Sequence, residues 1–238
     1  MVARSRPGAV HVQWLLASVI LLGGCSAGGG DIHLAGPSSQ LAGLSPQEQA
    51  LLAQAPGALA AAGCGGVRTI AEYPDDVDRS HIGGPDVATP PPLLSYASVP
   101  PASGPHNPVP VPAGVYSDPP DVYGTIHSLE HAAVVVWYSP QTASVTDQAG
   151  ELGKLRSFFT EPSEVDHVIV APYDYPGQGD AGRLPDGTNM ALVAWHRLRL
   201  CDRVNLAVAF DFIRRFRFDP TDPDRYEGEA PEPGVPIG

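Results

Sequence analysis

The sequence predicts one α+β domain: a small sheet, two amphipathic helices and a long, ordered, proline-rich loop. Ala132 to Tyr138 (AAVVVWY) and His167 to Tyr173 (HVIVAPY) are continuous apolar, β-branched runs, the pattern of strands buried on both faces. Residues 144–160 and 205–218 place apolar side chains at helical spacing, so each presents one stripe to a sheet. From Pro85 to Pro120 the chain carries 12 prolines in 36 residues. That density forbids helix and leaves few amides for strand pairing. The prolines alternate with Tyr96, Val99, Val109, Val111, Val115, Tyr116 and, just beyond, Tyr123, which are expected to pin an extended ribbon onto the core.

The elements follow in order. Arg4 and Arg6 precede an apolar run, uncharged from Val12 to Leu22, that is too short to span a bilayer comfortably, so residues 1–24 read as a secretory signal. It ends in Leu22-Gly23-Gly24-Cys25, which resembles a bacterial lipobox; lipidation of Cys25 would anchor the chain to the outer face of the cytoplasmic membrane. The alternative is an ordinary signal peptide or an uncleaved anchor with a chance cysteine. Residues 25–44 are small and polar, a flexible tether. Ser45-Pro46-Gln47-Glu48 has the form of a capping box and predicts a short helix to about Ala62, kinked or broken at Pro56-Gly57. The α+β domain proper then runs over 63–218, with the 144–160 helix including Val145, Leu152, Leu155, Phe158 and Phe159, a third strand over Met190–Cys201 and a second helix over 205–218. The acidic, proline-bearing residues 219–238 are expected to be disordered.

Removal of residues 1–24 takes away two arginines and leaves 12 basic against 26 acidic residues, a formal charge of −14. Nucleic acid is therefore excluded as a partner class, since phosphate binding needs clustered Lys and Arg. The basic group Arg197, Arg199, Arg203, Arg214, Arg215 and Arg217 reads as a solvated face. With Cys25 lipidated, Cys64 and Cys201 are expected to form a disulfide, closing a loop of 137 residues that chain-entropy arguments value at roughly 4–5 kcal/mol. Two buried free thiols are the alternative.

The histidines carry the chemistry. His33 lies in the tether, and His167 and His196 begin or sit within strands, where structural roles are expected. His81 and His106 lie in irregular loops, and His127 and His131 belong to HSLEH, residues 127–131. On a helix, positions i and i+4 share a face about 5–6 Å apart and both reach one ion; on a strand they stand about 13 Å apart. A shared site thus requires a helical turn over 126–132. The string also matches the HxxEH pattern of inverzincin metalloproteases, in which the glutamate activates water, although those enzymes carry it inside a long helix and a strand follows here.

Cys64-Gly65-Gly66-Val67, His81, Pro100 to His106 (PPASGPH), Gly114-Val115-Tyr116, HSLEH, Trp137-Tyr138-Ser139-Pro140, Ala194-Trp195 and Cys201, in that order, resemble a family of actinobacterial and related secreted proteins catalogued as a domain of unknown function. The likeness covers about residues 63–218. It implies one extracytoplasmic domain with a shared histidine set and supplies no activity. Ala132 and His196 depart from it, standing where the family pattern has glycine.

Three functions remain open. A binding protein would gather His81, His106, His127 and His131 around copper or zinc, with Glu130 orienting an imidazole or the adjoining backbone and Met190 a possible soft ligand favouring copper. A metal-dependent hydrolase would use Glu130 as general base. An interaction module would offer the Pro85–Pro120 loop to an envelope protein partner and use the histidines as hydrogen-bonding groups.

Overall fold

The computed structural model describes residues 43–237 apart from residue 145; the signal segment, Cys25, His33, most of the tether and Val145 lie outside the described residues. Among the described residues the α-helices are α1 (Pro46–Ala61), α2 (Val122–Glu130), α3 (Thr146–Phe158) and α4 (Leu206–Phe216). The strands are β1 (Arg68–Thr69), β2 (Gly114–Val115), β3 (Val134–Tyr138), β4 (Val168–Pro172), β5 (Met190–Ala194) and β6 (Arg197–Cys201). They form one mixed sheet in the order β1-β6-β5-β3-β4-β2. β3 and β2 run parallel to β4, whereas β5 pairs antiparallel with both β3 and β6. The α+β architecture is as the sequence predicts.

Alternation along the strands divides the core. Val134, Val136, Tyr138, Val168, Val170, Met190 and Leu192 point to one face, where Leu152, Leu155, Phe210 and Phe212 cover them. Val135, Trp137, Ile169, Ala171, Ala191 and Val193 point to the other, under Ile126 and Leu129 of α2 and Leu93 and Tyr96 of the proline-rich loop. Each Leu or Ile buried there contributes about 1.5–3 kcal/mol, so the irregular loop is held by real packing. Tyr96 and Val111 are buried as expected, Leu93 is fully buried, and Val109, expected as a pin, is 71% exposed.

Local chemistry explains the elements. Ser45 and Glu48 make the predicted capping box of α1. Of the kink or break expected at Pro56-Gly57, the break does not occur, and α1 runs through Pro56, with Leu51 packed into the α4 side of the core so that tertiary burial outweighs one lost helical bond. The single strand expected over 190–201 is a hairpin, β5 and β6, turning at Trp195-His196 with His196 at φ 53°. Ala132 has φ 66°. Its N–H donates to Leu129 O and that of Ala133 to Ser128 O, closing α2 in a Schellman motif at the position where glycine is usual. Ala132 and His196, both at positions where glycine is expected, thus lie where the backbone is left-handed.

Cys64 and Cys201 are joined as a disulfide across 137 residues. Within the basic group Arg197 pairs with Glu229 and Arg215 with Glu227, while Arg199, expected on a solvated face, is buried 3.9 Å from Asp211. Residues 219–237, which belong to the segment expected to be disordered, make specific contacts. Glu227 N donates to Arg215 O, Glu232 N to Glu130 O and Gly234 N to His131 O, and Ala230 and Ile237 are buried. Composition suggested disorder, yet partners far away in sequence capture this segment.

Candidate metal centre

HSLEH is helical. Asp121 caps α2, its carboxylate accepting from the N–H groups of Tyr123 and Gly124, and HSLE forms the last turns with His131 as C-cap. Gly124 lets the ribbon 107–111 lie directly on the helix, since a Cβ there would fall 3.0 Å from Val111 Cγ2 and 3.1 Å from Val109 O. Asn107 N donates to Tyr123 O and Val111 N to Gly124 O, while Ser128 Oγ donates to Val111 O at 2.8 Å. The ribbon thereby delivers His106 to α2.

The SGPH motif is equally legible. Ser103 Oγ donates to Asp78 Oδ1, the Tyr96 hydroxyl donates to Pro105 O, and Gly104 adopts φ 118°, a region open to glycine. His106 N donates to Ser80 O and Ile82 N to His106 O, a bridge that sets His81 beside His106. His81 is exposed, its ring stacked on His127 with centroids 5.0 Å apart.

One donor atom from each of His81, His106, His127 and Glu130 lies within 4.8 Å of the others. Thus three of the four predicted histidines meet, and Glu130, expected to orient a neighbour, stands among them. His131 lies against His127, their Nε2 atoms 3.1 Å apart.

Protons decide what these rings can do. The Nδ1 atoms of His106, His127 and His131 lie 2.9, 2.7 and 3.2 Å from the carbonyl oxygens of Gly104, Asn107 and Pro236. A carbonyl can only accept, so each Nδ1 carries the hydrogen and each neutral ring offers an Nε2 lone pair. Burial and the neighbouring imidazoles hold His127 below the usual histidine range, against the pull of the Asn107 carbonyl, and favour the neutral ring. With both rings neutral, two lone pairs face each other at 3.1 Å. Fully buried His106 Nε2 lies 3.1 Å from Glu130 Oε2 yet has no hydrogen-bond partner. Burial pushes Glu130 up, but His106, whenever its Nε2 holds a proton, and the Arg79 guanidinium, 2.8 Å away, outweigh burial and lower the carboxyl below its usual range.

The family model described as "Protein of unknown function (DUF3105)" matches residues 92–232, more than half of the chain. The chain belongs to this family. No curated protein and no solved structure matches it. The DUF3105 stretch contains His106, His127, Glu130 and His131, and it reaches into the acidic segment as far as Glu232, whereas His81 lies upstream of it. Sequence reasoning missed Arg79 and Glu232. Arg79 Nε contacts Glu130 and its Nη2 contacts Glu232 Oε1 at 3.3 Å; that pairing spans 153 residues and leaves no local signal. It also left Asp78 aside, whose Oδ2 holds His196 Nε2 at 2.9 Å.

Proposed function

We propose that this DUF3105 domain binds one divalent transition ion, zinc or copper(II), through His106, His127 and Glu130, with His81 at the exposed rim and His131 behind His127, and that it works outside the cytoplasm on a lipid anchor at Cys25. The observation that carries this reading is the proton arrangement: three rings donate Nδ1–H to backbone carbonyls and aim their Nε2 lone pairs inward. Metal-bound histidines are oriented in this manner. Metal–ligand bonds of about 2.0–2.1 Å in tetrahedral array separate adjacent donors by about 3.3 Å, close to the 3.1 Å between His106 Nε2 and Glu130 Oε2. Nitrogen and carboxylate donors suit zinc or copper(II). Met190 is buried with the side chains on the opposite face of the sheet, so its thioether adds nothing here.

Binding fits better than hydrolysis. Arg79 engages Glu130 Oε1 and the Glu130 carboxyl is held below the usual range, which suits an anionic ligand and weakens a general base. The interaction reading keeps one specific support: Leu94 and Val109 of the proline-rich loop are 78% and 71% exposed. Titration of the purified protein with Zn²⁺ and Cu²⁺ separates the two, with His106→Ala and His127→Ala as site variants and His167→Ala as a control. Stoichiometric binding lost in both site variants and kept in the control supports the metal reading. Occupancy indifferent to the site variants, or no binding, leaves the histidines as pins for irregular backbone.

A further inference from the structure

Two carboxylates flank the histidine cluster in the same manner. Glu130 places Oε1 on Arg79 Nε at 2.8 Å and Oε2 against His106 Nε2 at 3.1 Å. Glu232 places Oε1 near Arg79 Nη2 at 3.3 Å and Oε2 near His131 Nε2 at 3.5 Å. Each imidazole in these pairs has its Nδ1 committed to a carbonyl, so in the neutral ring each carboxylate oxygen faces an Nε2 lone pair, an arrangement that a cation between them would satisfy. One guanidinium, half exposed, thus gathers two carboxylates whose other oxygens face metal-type nitrogens. The backbone supports the second pair: Glu232 N donates to Glu130 O at 3.0 Å, Gly234 N to His131 O at 3.4 Å, and His131 Nδ1 to Pro236 O. His167 Nε2 reaches Val235 O at 3.0 Å, and Ile237 is buried.

We infer that Glu232 is a further ligand of the ion, supplied by the strap of residues 227–237, so that metal binding fastens this strap over the cluster. The inference rests on the reading that the cluster takes an ion. A divalent cation between these groups satisfies the Nε2 lone pairs and the carboxylates together, which Arg79 alone cannot do, because a guanidinium has only donors and leaves an imidazole lone pair unmet. Glu232 is 45% exposed and Arg79 55%, so the arginine can release the carboxylate without opening the core. A ligand on a segment tied by few backbone bonds couples that segment's order to occupancy through mass action.

The test is calorimetric titration of the full chain with Zn²⁺, for the wild type, Glu232→Gln and Glu232→His, together with hydrogen exchange of peptides spanning 228–237 with and without the metal. The glutamine variant removes the charged ligand; the histidine variant keeps a ligand but cannot pair with Arg79. Glu232→Gln should bind at least about tenfold more weakly, Glu232→His should recover most of that loss, and zinc should slow strap exchange in the wild type. Equal affinity in Glu232→Gln, or weakening shared alike by both variants, overturns the inference while the metal reading stands, the second result placing Glu232's effect on Arg79. A wild type that binds no zinc and no copper overturns both.

Discussion

Gly104→Ala should be among the most damaging single-methyl additions in this protein. At φ 118° the backbone lies where L-residues rarely go, a cost of about 1–3 kcal/mol. The added Cβ would lie 2.6 and 2.8 Å from two ring carbons of Tyr96 and 3.0 Å from Tyr73. Tyr96 cannot swing aside, being 6% exposed with its hydroxyl held on Pro105 O. Overpacking of this kind costs about a further 1–3 kcal/mol, and the stiffer unfolded chain returns somewhat under 1 kcal/mol. The expected loss is about 1–5 kcal/mol, a large share of a typical domain's stability. Gly83→Ala is the internal control, since Gly83 has φ 89° with nothing within 4 Å of its would-be Cβ and bears only the backbone cost. Urea unfolding followed by tryptophan fluorescence, with the disulfide intact, gives both values. If Gly104→Ala is no less stable than Gly83→Ala, the clash with Tyr96 is not what demands glycine in the SGPH turn. Because the Gly104 carbonyl also accepts from His106, the folded fraction of Gly104→Ala should bind zinc more weakly.

Three other outcomes are expected. Asp78 and His196 form a pair in which burial opposes both charges yet their mutual contact prevails, raising His196 above its ordinary 6.5 and lowering Asp78 below its ordinary 3.8. The histidine contribution is fully present below pH 6.5 and lost as pH rises through the folded value; the aspartate contribution is present above pH 3.8 and lost as pH falls through its folded value. The wild type should therefore exceed His196→Asn in melting temperature most between about pH 4 and 6.5, and a gap that grows toward pH 9 would contradict the pair. Neither Cys64 nor Cys201 should react with a thiol reagent in the denatured, unreduced protein; two titratable thiols would exclude the disulfide. Cys25→Ser should shift the protein from the detergent phase to the aqueous phase or block its maturation, and identical partitioning would remove Cys25 as the anchor.

Signals confined to a few neighbouring residues were readable in advance. The Ser45–Glu48 box, the AAVVVWY strand and the helical turn implied by HSLEH all belong to this class. The full length of α2 was hidden because Tyr123, Gly124 and Thr125 are poor helix formers, and the helix depends on the Asp121 cap and on burial of Ile126 and Leu129. The β5–β6 turn was hidden because Trp195-His196 lacks the glycine or asparagine that marks a reversal. At the candidate site, histidine spacing revealed the i,i+4 pair, but Arg79 and Glu232 became visible only once the chain had folded them together.

The sheet ends abruptly on both sides. Its outermost strands, β1 and β2, have two residues each, so a second chain laid alongside would find little ladder to extend. Pro112 lies just before β2 and has no N–H to offer such a neighbour. Copies crowded together at high local density can thus stay separate despite a strongly apolar, β-branched centre.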